Sequence, residues 1–303
     1  MMGQQSNDNQ LLDCIVIGSG PGGLQAAIHL ARYNFQVMLF HTSGGRTGHA
    51  KHIENYLGIP LVSGLDLLEI GLKQVKNFGV AIENAKVDRL SGREGNFEVL
   101  AGGKTYRSRY VIAASGAKET LAPFKNLYRF YGHSYFTCMI CDGYRTTGKK
   151  LVVIDRTATG VRMSVAMKRM YTTDVTFIAH GFTPAPVYRT LLEEEGIRLV
   201  GGRPEELLGE KTLEGVRMAD NSVIPCEAIL GWGGISLNDE YLSGLDLERD
   251  ADGFKVATKA NGESSIPGLF VVGSLRVGHS QAIISAGQGA EAAIEVSTRI
   301  VEL

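Results

Sequence analysis

The chain is short of several things that would narrow its class at once. It has a single tryptophan and four cysteines in 303 residues, and its 31 lysines and arginines are balanced by 32 aspartates and glutamates. Two of the cysteines are isolated in apolar, strand-like surroundings and two form a C-x-x-C, which reads as a redox or metal pair rather than a structural staple. Balanced charge with no long run of one sign removes the electrostatic footprint of a nucleic-acid binder. No stretch reaches the roughly 18 apolar residues of a membrane-spanning helix, and the opening MMGQQSNDNQ has no apolar signal-peptide core. The expectation is a cytoplasmic protein with neither a nucleic-acid nor a membrane partner.

What the chain has in excess is glycine, 38 residues that recur at strand ends. That pattern suits an α/β protein built from strand-to-helix turns. The length allows one large domain or two ordinary ones.

The first segment, LLDCIVIGSGPGGLQAAIHLARYNFQVMLFH, reads as strand, glycine turn, helix and strand. Leu12 to Ile17 is a short apolar run, Leu24 to Tyr33 has helical periodicity, and Gln36 to Phe40 is the next strand. Between the first two lie Gly18, Gly20 and Gly23, spaced G-x-G-x-x-G. Glycines there let the backbone turn tightly and approach a pyrophosphate, whose charge rests on the N–H groups at the helix start. An acid should end the second strand and accept from ribose hydroxyls; His41 stands there instead, either as a weaker ribose contact or as a solvent-facing side chain.

A glycine-rich loop, GGRTGHAKHIENYLGIP, and a helix from Gly64 to Phe78 follow. FEVLAGGKTYRSRYVIAAS then predicts a small antiparallel sheet ending at a second glycine turn, Ser115-Gly116-Ala117. Residues 118–124 suggest a crossing into a second domain, where Leu151 to His180 repeats the plan of residues 12–41. The chain returns with an apolar strand, Leu269 to Val272, a turn at Gly273 and a final helix from near Ser280. In the second domain sits CMICDGY, with Cys138 and Cys141 two residues apart. Such a pair is redox-active or metal-binding; zinc would need two further soft ligands, and Cys14 and Cys226 are isolated. Tyr131, Tyr135, Phe136 and Tyr144 flank the pair as packing.

The order of these motifs resembles the low-molecular-weight thioredoxin reductases across nearly the whole chain, most specifically in C-x-x-C-D-G. The resemblance implies two dinucleotide-binding, Rossmann-like domains of three-layer ββα type, the second inserted in the first. An FAD domain would comprise residues 1–121 and 246–303, and an NADPH-domain-like module residues 122–245. It also implies a homodimer and thioredoxin, or a similar protein disulfide, as partner. Carried onto this sequence, FAD contacts fall in the first turn at Gly18, Gly20, Pro21, Gly22 and Gly23. Others fall at His41, in the following loop at Gly45, Arg46 and Asn55, and around the second turn at Ala114 and Gly116. Gly273 and Ser274 occupy a usual Gly-Asp pair, and Gln281, Ala282 and Ile283 match the segment at the flavin ring, where helix N–H groups favour the reduced flavin. Cys141 would exchange electrons with the flavin and Cys138 would form the mixed disulfide, with Asp142 suited to moving a proton.

The sequence departs from that family where the second domain should hold NADPH. In place of G-x-G-x-x-A after Ile154 stand Asp155, Thr157 and Gly160, and the strand from Val175 to Ala179 is followed by His180-Gly181-Phe182 rather than a basic cluster. The Asp155 carboxylate would repel a pyrophosphate by about 1 to 4 kcal/mol at contact distance. No NAD(P)H is therefore expected, with Arg156 and Arg189 the residues best placed to reverse this. The resemblance then offers two donors. Reduced ferredoxin would dock on basic residues such as Arg46, Lys51, Lys118 and Arg276. A second FAD would need aromatic walls such as Trp232, Phe182 and Tyr188. The competing readings are an NADPH-linked reductase with an atypical site and a flavin or thiol redox sensor without turnover.

Overall fold

The computed structural model describes residues 10–43, 45–231 and 233–302. The chain divides into two compact units, 1–118 with 236–303, and 119–235. The first opens with β1 (Leu11–Ile17), α1 (Pro21–Arg32) and β2 (Val37–Phe40). It continues through α2 (Gly64–Asn77), β3 (Ala81–Glu83), β4 (Val87–Arg93), β5 (Asn96–Ala101) and β6 (Lys104–Ala113) to β7 (Ala117–Glu119). In β1 the run Cys14 to Ile17 is buried without alternation, as in a strand covered on both faces, whereas β5 alternates. α1 starts at Pro21, ahead of the periodic residues, because Gly20 caps it in an extended conformation and proline suits the first helical position.

The second unit contains α3 (Leu127–Phe130), β8 (Tyr135–Phe136), α4 (Met139–Asp142), β9 (Leu151–Asp155), α5 (Ala158–Met170), β10 (Val175–Ala179) and α6 (Pro186–Glu194). It continues with β11 (Arg198–Gly201), β12 (Pro204–Leu208), β13 (Gly215–Met218), β14 (Val223–Pro225), β15 (Ala228–Gly231) and β16 (Ile235–Leu237), which runs across the boundary. Five strands form a parallel sheet in the order β11-β10-β9-β15-β8. β9 and β15 are buried along their whole length, which matches their apolar sequences apart from Asp155 at the end of β9. β12, β13 and β14 make a separate antiparallel sheet.

The return adds β17 (Leu269–Val271) and α7 (Ala282–Glu302) to the first unit. β17 completes a seven-stranded sheet in which β3-β2-β1-β6 pair in parallel and β6-β5-β4 antiparallel. The small antiparallel sheet expected from the sequence is present and continues the main sheet through β6. β6 is long enough for its first half to pair with β5 and its last residues with β17. α7 packs against α1 so closely that a Cβ on Gly289 would lie 2.0 Å from the Gly22 carbonyl oxygen. The return crossing falls at 235/236, earlier than the 245/246 read from the sequence, because Asn238 and Tyr241 bond to Ser115 inside the first unit. Among the described residues no helix is long and apolar enough to cross a membrane.

Candidate functional site

The first unit holds a cavity of about 340 Å³ at the carboxyl end of its parallel strands. Its floor is the turn between β1 and α1. Gly18 has φ +106° and its N–H donates to the Phe40 carbonyl; a Cβ there would sit 2.5 Å from the Ala114 oxygen. A Cβ on Gly23 would lie only 1.9 Å from the Gly18 oxygen. The turn therefore closes onto the helix only with glycine at both positions.

Gly18, Gly20, Pro21, Gly22, Gly45, Arg46, Ala114, Gly116, Gly273, Ser274 and Ala282, drawn from segments far apart in sequence, all line this cavity. Gly23 is not in the lining; it is the buried contact that lets α1 approach. His41 is also outside it, with its Nδ1 2.5 Å from Ser19 Oγ. Burial, and secondarily Lys76, hold its imidazole below the ordinary histidine range. The lining beside it comes from Thr42 and Ser43. Asn55 is exposed, and Gln281 and Ile283 flank the lining without joining it. Residues the sequence did not point to are Asn238 and Tyr241, which join Ser115 of the second turn. The Ser115 hydroxyl donates to the Asn238 carbonyl at 2.6 Å and meets the Tyr241 hydroxyl at 3.1 Å, a join made by the fold and marked by no local motif.

Two cations hold the chain just before α7. Arg46 Nη1 donates to Ser280 Oγ at 3.4 Å, and Lys255 Nζ donates to the Gly278 carbonyl at 2.9 Å. Lys255 is held below the ordinary lysine range by burial, with Arg46 acting in the same direction and Asp250 opposing. Gln281 Nε2 is buried with no hydrogen-bond partner among the described residues. A glycine turn on one helix, a second positive helix end and an unpartnered amide donor fit a dinucleotide such as FAD.

In the second unit the equivalent turn, between β9 and α5, is filled by its own side chains. Asp155 is buried, and its Oδ1 accepts from both the Thr157 N–H and the Thr157 hydroxyl at 2.7 Å. Thr157 Oγ1 in turn accepts from the Thr159 N–H and caps α5, which starts the helix at Ala158. A Cβ on Gly160 would lie 2.3 Å from the Asp155 Cβ, so helix and carboxylate fit together only with glycine there. Arg156 lies 2.9 Å from His180 Nε2, and Arg189 donates to the Pro184 carbonyl at 2.8 Å.

Cys138 and Cys141 are joined as a disulfide at the start of α4, and the Cys141 N–H donates to Cys138 Sγ at 3.1 Å. Asp142 follows, 3.7 Å from Arg145 Nε. Cys14 and Cys226 are buried in the cores of different units. Burial raises both thiols well above the ordinary range, that of Cys226 to about 12. Neither is a nucleophile at neutral pH. Tyr135 and Phe136 are core residues, as expected of the aromatics near the pair, whereas Tyr144 is 47% exposed.

Paired Rossmann-type units with a redox disulfide define the class as a flavin-dependent disulfide oxidoreductase, and comparison with known proteins agrees. A family model described as pyridine nucleotide-disulphide oxidoreductase matches residues 12–290, and the chain belongs to that family. It is 26% identical to a thioredoxin reductase of Aquifex aeolicus, over 95% of this chain and 93% of that protein. It is 27% identical to a thioredoxin reductase of Helicobacter pylori, over 94% and 98%. The solved structure of HlmI superposes with a TM-score of 0.88 at 27% identity, covering 96% of this chain and 93% of that one.

Proposed function

We propose that this protein is an FAD-dependent disulfide oxidoreductase of thioredoxin-reductase type that does not use NAD(P)H. Its electrons would come from reduced ferredoxin or a second bound flavin and leave to a protein disulfide such as that of thioredoxin. The observation that carries the reading is the Asp155 carboxylate, which accepts from the Thr157 N–H and hydroxyl at the start of α5. In a dinucleotide fold those helix-end donors hold a pyrophosphate. Here an internal anion takes the Thr157 donors and repels an external one. Arg156 and Arg189 are engaged by His180 and the Pro184 carbonyl.

Bound FAD would supply a two-electron carrier between the donor and the Cys138–Cys141 disulfide. The residues read as its contacts are Gly18, Gly20, Pro21, Gly22, Gly23, Gly45, Arg46, Ala114, Gly116, Gly273, Ser274 and Ala282, with His41, Asn55, Gln281 and Ile283 at the margin. Once the disulfide is reduced, the Cys141 N–H stabilises a thiolate on Cys138, which suits that residue to attack a partner disulfide. Cys141 then closes the intramolecular disulfide, and Asp142, oriented by Arg145, manages the proton.

For the donor, Phe182 and Tyr188 pack against the core of the second unit, which counts against their forming a flavin slot; Trp232 lies outside the described residues. Of the basic residues proposed for ferredoxin, Lys51 and Lys118 are exposed, while Arg46 and Arg276 are partly buried. A homodimer is part of the same reading, supported by Leu57, Leu61 and Leu65, which are 93%, 57% and 64% exposed. So is a cytoplasmic location, where a cycling C-x-x-C is kept reducible.

The test is the flavin-to-polypeptide ratio of the purified protein, followed by anaerobic addition of NADPH and then reduced ferredoxin. One flavin per chain bleached only by ferredoxin supports the protein donor. Two flavins without NADPH bleaching support the second flavin, and bleaching by NADPH refutes the proposal.

A further inference from the structure

The segment between Gly273 and α7 touches the cavity at both ends, through Ser274 and through Ser280 and Ala282, while its middle lies outside the lining. Two cations grip this segment. Arg46, itself in the lining, donates to Ser280 Oγ at 3.4 Å. Lys255 reaches the Gly278 carbonyl at 2.9 Å, and Gly278 has φ +113°, a conformation reserved for glycine.

The Lys255 backbone is itself fixed from both sides. Its N–H donates to Asp250 Oδ1 at 3.1 Å. Next to it, the Val256 N–H donates to the Leu275 carbonyl and the Val277 N–H to the Val256 carbonyl, at 2.9 and 3.1 Å. The lysine is therefore held in register beside the segment it ties. Asp250 is the acid that offsets the Lys255 charge, and Arg46 adds to it. The partial positive charge of a 21-residue helix end lies at the same place. The unpartnered, buried Gln281 Nε2 is a further donor there.

We propose that Lys255 is a positioning residue for the flavin. It fixes the 278–281 segment at the amino end of α7 and, with Arg46, adds positive charge that favours the reduced, negatively charged form of the bound cofactor. This rests on the proposed placement of the flavin ring against Gln281, Ala282 and Ile283. The charge acts on the difference between oxidised and reduced cofactor, so it moves the redox equilibrium more than the binding of oxidised FAD.

The experiment uses the full-length flavoprotein and compares Lys255→Met with Lys255→Arg. The midpoint potential is measured by equilibration with reference dyes, and the dissociation constant of oxidised FAD by fluorescence. Lys255→Met is expected to disfavour the reduced flavin about tenfold, a potential about 30 mV lower for a two-electron couple. Lys255→Arg should stay within about threefold of the parent, and oxidised FAD should bind all three proteins within about threefold. An unchanged potential in Lys255→Met, equal shifts in both variants, or loss of oxidised FAD from Lys255→Met alone would each overturn the proposal. A parent protein that binds no FAD would instead overturn the reading beneath it.

Discussion

The two strand-to-helix turns of this molecule share one plan and differ in what lies at the helix end. After β1, glycines leave the amino end of α1 open to a cavity. After β9, Asp155 and Thr157 satisfy donors at the start of α5 with side chains of the same turn. On the proposed reading, the comparison teaches that a dinucleotide fold and a dinucleotide site are separable. The sheet, the helix and a Gly160 close contact persist in the second unit, while Asp155 and Thr157 bond to each other and to the start of α5.

The largest expected effect separates the two units by chemistry. Cys138→Ser should reduce disulfide reduction to background while leaving the visible spectrum of the bound flavin intact; retained turnover would remove Cys138 from its role. Next is a strike on the open turn. Gly23→Ala places a Cβ 1.9 Å from the Gly18 oxygen, and bound flavin should fall at least about tenfold, with overpacking costing about 1–3 kcal/mol. Flavin content and a thermal melt read the two effects separately.

A smaller effect tests how the first unit is held together. It is assembled from both chain ends, whereas the second is one continuous stretch. Glu263 braces the carboxyl-terminal part against Arg299 of α7, and Arg299 in turn reaches Glu94 of the amino-terminal part at 3.6 Å. Glu263 is bound foremost by Arg299, then by Lys259 and the Gly268 N–H, and its carboxyl is lowered to about 2 from 4.5. A depressed carboxyl stabilises fully above pH 4.5 and loses that contribution as pH falls toward 2. Glu263→Gln should cost on the order of 2 kcal/mol at pH 7, and the difference from the parent should close at low pH in denaturant titrations. The smallest effect concerns the buried thiols. After mild reduction, a thiol reagent should label Cys138 and Cys141 in the native protein and reach Cys14 and Cys226 only after unfolding.

Much of this was legible in the sequence because it is local. G-x-G-x-x-G between an apolar run and a helical pattern located the first turn, and C-x-x-C located the disulfide. The absence of glycine at 155 and 157 also reads directly. The hydrogen bonds of the Asp155 carboxylate do not, since an aspartate at a strand end reads equally as a charge facing solvent. Asn238 and Tyr241 reach the cavity because the returning chain crosses beside Ser115, a contact across more than a hundred residues of sequence with no motif behind it. The antiparallel pairing of β5 with β6 was read correctly, but not its continuity with the parallel strands. Alternation shows that a strand has one buried face, and says nothing of which neighbour it pairs with. His41 was placed correctly at a strand end, but its partner Ser19 comes from the glycine turn itself.

The most direct measurement is an anaerobic titration of the flavoprotein with NADPH by calorimetry, run beside the double variant Asp155→Gly/Thr157→Gly. The account predicts no saturable binding to the parent up to millimolar NADPH and measurable binding once the internal anion is removed. Saturable micromolar binding to the parent would contradict it.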